Sequence, residues 1–338
     1  MSRRSLLLAA SAAACLAIAA YLSASLGSRP DGAVLELDWP WRWLASDGQT
    51  LSRVIGQLRV PRVAAGALAG GALAVAGLLL QGVTRNPLAD PFLLGVSGGA
   101  GLAVVALHAI PNAIDCLGWW AIPAAAFVGA QGATFVVITV ARGATGRSAV
   151  LGMVLTGVIV NALCGAVTTF LLIGFPPLRL RITTIWLAGG VSYAEWGELA
   201  IAFVAIVAAI CLVRLRAFQL NAFALGEEGA GLVGVESRRV LLESAWMASL
   251  LTGVAVSLCG LVGYVGLLVP HVVRRLVGAD FRAALPLTAL GGALLLVAGD
   301  TASRTMMAPR EIPVGVLAAI IGAPVLLLLV RRELGGRG

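Results

Sequence analysis

Val60-Pro61-Arg62-Val63-Ala64-Ala65-Gly66-Ala67-Leu68-Ala69-Gly70-Gly71-Ala72-Leu73-Ala74-Val75-Ala76-Gly77-Leu78-Leu79-Leu80 carries one charge, Arg62, close to its start. A bilayer core about 30 Å thick takes about 20 apolar residues as a helix. The run meets that length and shows no alternation of apolar and polar positions, so a membrane strand is a poor alternative. It reads as a transmembrane helix, with Pro61 placed where a first helical turn accepts proline.

The same pattern recurs outward in both directions. Runs of similar character are Leu6–Leu26, Phe92–Ile110, Trp119–Ala141, Ala149–Ile173, Leu199–Val213, Val240–Leu261, Leu285–Ala302 and Ile312–Val330. A shorter one, Tyr264–Val277, carries Pro270, His271 and two terminal arginines. A broken helix at membrane depth survives where protein covers it, so this run is expected as a tenth helix of the bundle. The fold class expected is therefore an all-α polytopic membrane protein of about ten helices, with residues 1–338 as a single transmembrane domain. Composition agrees: of 338 residues, 59% are apolar and 12% charged, with mean hydropathy +0.97. Soluble domains hold about 45–50% apolar and about 25% charged residues, and disorder needs the opposite balance.

The net charge of +8 rests on 24 basic residues, all Arg, and they fall between the runs. Such spacing is a topology signal and gives no reason to expect a nucleic-acid partner. Ten spans put both termini on one side. If that side is the cytoplasm it receives fifteen arginines, among them Arg3, Arg85, Arg216 and Arg238, and the other side nine. The alternative of a cleaved secretory signal after Arg3-Arg4 leaves nine spans and opposed termini. Small-residue spacings such as Gly66 to Gly71 and Gly291-Gly292 suit close helix contacts.

Catalysis finds little support. Five cysteines are scattered without a CxxC pair, and His108 and His271 lie on different spans, so no metal site and no cofactor is indicated. A chain without Lys cannot carry a phosphate-binding GxxxxGK[ST] loop. Glu243 and Asp300 are the acids within spans, each alone near an end, and Asp300 stands four residues before Arg304, as a helical ion pair would.

The interruptions are more informative. Arg59 and Arg62 sit three apart on one helical face on the non-cytoplasmic side, either as interfacial anchors or as a contact for an acidic partner. Arg85-Asn86-Pro87-Leu88-Ala89-Asp90-Pro91 packs two prolines and opposite charges into a short turn. Residues 216–236 form the longest polar cytoplasmic segment, expected as two short helices broken at Gly226 and Gly229. Its Phe218, Leu220, Phe223, Leu225, Leu232 and Val233 suit burial against the bundle or docking of another protein. Asn161, Thr168 and Thr169 either line a path or join helices.

At these residues the chain resembles the FecCD-type permeases, membrane subunits of binding-protein-dependent ABC importers for iron-siderophores, haem and cobalamin. The resemblance runs from Arg59 onward. It includes Arg59-Val60-Pro61-Arg62, the Arg85–Pro91 turn with Leu94–Gly99, and Leu155–Val158 with Asn161-Ala162. Farther on it includes Trp186–Gly189, Leu225-Gly226-Glu227-Glu228, Gly263–His271, Glu311–Gly315 and Gly322-Ala323-Pro324. It implies the cobalamin-permease-like (type II importer) fold, a homodimer in the inner membrane, two cytoplasmic ATPase subunits that hydrolyse ATP, and a periplasmic substrate-binding protein. The permease itself is then not an enzyme. An iron(III)-siderophore is the implied cargo, with haem or cobalamin as alternatives; a passive channel or structural subunit is the rival class.

The resemblance also assigns residues. Arg59, Arg62 and Arg304 are implied as contacts for the binding protein, and Leu225, Gly226, Glu227 and Glu228 as the centre of ATPase coupling. Thr145 and Ser148, in the turn before the fifth span, and Asn161 and Thr168 within it, are candidate gate or path residues. Trp39-Pro40-Trp41-Arg42-Trp43 matches no family motif and reads as an aromatic interfacial belt.

Overall fold

The computed structural model describes residues 3–27, 36–37, 55–142, 146–191, 194–308 and 310–335. The regular structure of these residues is helical, apart from a two-residue antiparallel pairing of Leu26-Gly27 with Glu36-Leu37. The long and medium helices are α1 (Arg3–Ser25), α2 (Val60–Thr84), α3 (Val96–Ala109), then, after the short α4 (Ala113–Leu117), α5 (Ala121–Ala141) and α6 (Gly146–Ile173). They continue through α7 (Pro177–Leu187), α8 (Trp196–Leu215), α9 (Ala217–Ala224), α10 (Glu227–Leu232), α11 (Ser237–Cys259), α12 (Val265–Val277), α13 (Phe281–Thr305) and α14 (Val314–Gly335).

Seven helices among the described residues are long and apolar enough to cross a membrane, and α3 and the apolar part of α14 are shorter. With α12 they occupy the ten positions read from the sequence. One span differs in detail, and one helix is additional. Phe92–Ile110 is not one helix: Pro91–Leu94 forms a 3-10 turn that closes on Gly95 at φ 79°, and only then does α3 begin. Asp90 caps that turn by accepting from the Phe92 N–H at 2.8 Å, which fixes the elbow. The second difference is α7, which the sequence gives no reason to expect because Arg179 and Arg181 interrupt its apolar character.

The core is built on α2. Its window is 78% buried, against 6% for α1 and 17% for α6, and it packs on α13, α11 and α12. Close approach explains the glycines. A Cβ on Gly70 would run into the Gly292 carbonyl, and one on Gly77 into the Gly266 carbonyl, so α2 meets α13 and α12 backbone to backbone. Gly99 and Gly129 bring α3 and α5 together in the same way. At its C-terminus α2 is ended by Arg85 in the left-handed region at φ 51°, followed by Asn86-Pro87, which cannot continue a helix.

Antiparallel packing of α2 and α13 gives the bundle two ends. At one, Arg62 near the start of α2 meets Asp300 near the finish of α13; at the other, Gly82 meets Phe281 and the chain turns at Arg85. Helix α1 arrives at the Arg62 end, and α14 departs from it. Asp280 caps α13 at the Arg85 end by accepting from the Arg282 N–H at 2.9 Å.

Candidate functional site

Two polar constellations stand at opposite ends of the α2–α13 pair. At the Arg62 end, the guanidinium of Arg62 is buried and bonds Asp300 through Nε, 3.2 and 3.1 Å from its two oxygens, and through Nη2 at 2.9 Å. Its remaining N–H groups reach Glu311, with Nη1 at 3.3 Å from Oε1 and Nη2 at 3.0 Å from Oε2. Arg304 donates from Nε to the other Asp300 oxygen at 3.1 Å, so the i,i+4 pair expected from the sequence is present. Its Nη2 also donates to the Ser23 carbonyl at 3.1 Å and the Ser23 Oγ at 2.8 Å.

Arg59 closes the π-helical turn Ile55–Arg59 and donates from Nη1 to the carbonyls of Ala24 and Ser25, at 3.3 and 3.4 Å. Arg59 and Arg304 thus supply donors to the last carbonyls of α1, which have no helical partner. Two arginines and two carboxylates balance in charge at Arg62, Arg304, Asp300 and Glu311. The three arginines named from the sequence therefore come together at one end, and α1 is fastened to α2 and α13 through them. Glu311 was missed by sequence reasoning. Its signals are its place at the head of the Glu311–Gly315 stretch of the resemblance and its position as an acid in the non-helical link Glu311-Ile312-Pro313 that returns the chain to α14.

The Arg85 end holds the second constellation. Residues 216–236 do form two short helices, α9 and α10, but the break is at Leu225-Gly226, where Gly226 takes φ 112°. A side chain there would be strained. Gly229, expected as a second break, lies inside α10. The apolar residues divide between the two fates considered. Leu220 and Phe223 are buried in the bundle, whereas Leu225, Leu232 and Val233 are 79%, 90% and 52% exposed. Glu228 is exposed beside them, and the Glu227 side chain lies outside the described residues.

Helix α9 is pinned to both central helices. Arg85 donates from Nη2 to the Phe223 carbonyl at 3.0 Å and sets its guanidinium 4.8 Å from that ring's centroid. Asn221 donates to an Asp280 oxygen at 2.7 Å and accepts from the Phe281 N–H at 2.9 Å, so it grips the start of α13. Burial opposes ionisation of Asp280, but the Arg282 N–H and the Asn221 amide hold its carboxyl below the usual range. Burial pushes the Asp90 carboxyl up to about 6, against the pull of the Phe92 N–H. Neither the Arg85 nor the Asn221 tie was legible from local spacing.

Of the candidate gate and path residues, Thr145 lies outside the described residues. Ser148 is exposed at the start of α6 and Thr168 is half-buried farther along it. Asn161 makes a specific brace: it accepts from the Gly98 N–H at 2.8 Å and donates to the Phe92 carbonyl at 2.8 Å. It therefore fastens α6 to the elbow that starts α3. His108 is buried, with Nδ1–H donating to the Val104 carbonyl at 2.9 Å. The Trp39–Trp43 segment lies outside the described residues. Among the described residues no three His, Cys, Asp or Glu side chains gather as a metal cage requires.

Comparison with known proteins adds identity to this geometry. The model of the FecCD transport family matches residues 15–332. The hemin transport system permease protein HmuU of Yersinia pestis is 38% identical over 310 residues, covering 91% of this chain and 92% of that protein. The cobalamin import system permease protein BtuC of Halobacterium salinarum is 39% identical, covering 84% and 74%. The iron(3+)-hydroxamate import system permease protein FhuB of Bacillus subtilis is 34% identical, covering 95% and 82%. Among solved structures, a metal-chelate type ABC transporter in an inward-facing conformation matches with TM-score 0.81 at 25% identity, covering 97% of this chain and 99% of that one.

Proposed function

The chain belongs to the FecCD transport family, and from that membership we propose that it is the permease subunit of a binding-protein-dependent ABC importer that carries an iron(III)-siderophore across the inner membrane. ATP is hydrolysed by separate cytoplasmic subunits that dock on α9 and α10, and cargo is delivered from outside by a binding protein. Two permease copies enclose the path as a homodimer.

One observation carries this reading. The α9–α10 segment is gripped from within by Arg85 and Asn221, yet leaves Leu225, Leu232 and Val233 bare at the Arg85 end. Apolar side chains exposed beside a charged rim suit a protein partner. With the ATPase at that end, the Arg85 end is cytoplasmic, in agreement with the larger share of arginines assigned there. The Arg62 end then faces the binding protein, and Arg59, Arg62 and Arg304 form its landing site. Helix α6, exposed along Leu155, Ile159, Leu163 and Phe170, supplies an apolar wall suited to the dimer axis and path, with Thr168 on it and Ser148 near its start; Thr145 is assigned to the same gate on the resemblance alone.

Haem is the second reading for cargo, favoured by the likeness to HmuU across nine-tenths of both chains. The test is uptake into proteoliposomes holding permease and ATPase subunits with the cognate binding protein outside. We expect ATP-dependent uptake of a ferric siderophore. Uptake of haem or cobalamin instead would reassign the cargo, and uptake by the permease alone without ATP would refute the importer reading. Leu232→Glu should leave the permease folded and abolish its co-purification with the ATPase.

A further inference from the structure

The Arg62 end carries more than a landing site for an acidic partner. An arginine whose Nε, Nη1 and Nη2 each already bond a carboxylate offers an incoming carboxylate little until one of its present partners leaves. The four charged groups that bond one another there sum to zero, so attraction for an acidic surface approaching the closed cluster is left to Arg59 and Arg310 beside it. The two carboxylates that hold Arg62 are, however, very unequal. The Asp300 side chain is 4% exposed and is shared with Arg304, while the Glu311 side chain is 51% exposed. Removing a partner from a buried pair is far costlier than parting a half-exposed one.

We propose that Glu311 is an exchangeable stand-in for the carboxylate of the docking protein: it occupies Arg62 in the undocked permease and rotates away when an acidic side chain of the partner takes its place. This rests on the reading of the Arg62 end as the binding-protein face. The local backbone permits the exchange without unfolding the loop, because hydrogen bonds bracket Glu311. The Arg310 N–H donates to the Met307 carbonyl at 2.9 Å and the Ile312 N–H to the Ser303 carbonyl at 3.1 Å, so side-chain rotation is sufficient. Beside it stand Met306 and Met307, 65% and 59% exposed, flexible side chains suited to a surface that must adapt to a partner. Exposed Arg310 adds a cation at the rim.

The consequence is counter-intuitive for an acid placed among basic docking residues. Removing its charge should tighten the complex. The test is titration of the permease–ATPase complex in nanodiscs with its cognate binding protein, at low and moderate salt, for wild type, Glu311→Gln and Arg59→Gln. For Glu311→Gln we expect binding tighter by about two- to five-fold, the range of a half-exposed pair, with a steeper loss of affinity on adding salt. Arg59→Gln should weaken binding.

If Arg59→Gln weakens the complex and Glu311→Gln leaves it unchanged or weaker, Glu311 is a brace and the exchange is overturned while the docking reading stands. If neither variant changes affinity, the docking reading itself falls. Should Glu311→Gln fail to give a monodisperse complex, Glu311→Asp serves the same end. Its shorter side chain gives up the guanidinium, and absence of tightening in that variant overturns the proposal.

Discussion

Asp300→Asn tests whether the ionic cluster holds the Arg62 end together. Asp300 accepts from Arg62 Nε and Nη2 and from Arg304 Nε, and its side chain is 4% exposed. Asparagine keeps the shape and one acceptor oxygen, but its amide nitrogen would face a guanidinium that also donates, and two largely buried cations would share the single remaining charge of Glu311. Removing one member of a buried pair costs about 3–5 kcal/mol. The unfolding entropy of about 2.1 cal/mol/K per residue, taken over a chain of this length, turns that into a fall in melting midpoint of about 4–7 °C. Differential scanning fluorimetry of the purified permease in detergent reads this directly. The double variant Asp300→Asn/Arg304→Gln should lose at least about 1 kcal/mol less than the sum of the single variants, since both remove one interaction. A midpoint within about 1 °C of wild type, or strict additivity, would refute the cluster as a structural fastening.

Three other outcomes follow from the packing. Gly70→Val drives a side chain into the Gly292 carbonyl and should cost about 2–3 kcal/mol, seen as a lower melting midpoint; an unchanged midpoint would mean that α2 and α13 can separate freely. Arg85→Ala removes the tie to the Phe223 carbonyl and ring, so amides of α9 should exchange hydrogen faster while those of α2 do not. Asp90 has a carboxyl raised to about 6 from an ordinary 3.8, so its neutral form is favoured in the folded chain. Its contribution to stability is therefore full below pH about 4 and is lost as pH rises through about 6; Asp90→Asn should flatten the melting midpoint between pH 5 and 7.5 relative to wild type.

Seven of the spans were legible because each is a long apolar run that only a helix can carry through lipid. The Asp300–Arg304 pair was legible because both residues lie on one helix at a fixed spacing. Nothing local joins Arg62 to Asp300, 238 residues apart, or Asn221 to Asp280; such pairs arise from helix packing, which a sequence specifies only through shape. The segment 216–236 was half legible. Its apolar residues marked it, but which of them turn inward depended on α9 lying against the bundle, and Gly229 was absorbed by α10 because nothing there demands a left-handed backbone. Asn161 offered two roles of equal standing until the Gly95 elbow gave its amide both a donor and an acceptor to engage.

The two ties of α9, to the end of α2 through Arg85 and to the start of α13 through Asn221, complete a frame. Those helices run backbone to backbone past Gly70 and Gly292, and Arg62 and Asp300 bolt them at the far end. A frame braced at both ends and along its length transmits a push as tilt and does not absorb it by bending. Through it α9 is joined to the Arg62 end and to α1, hung there on Ser23, Ala24 and Ser25.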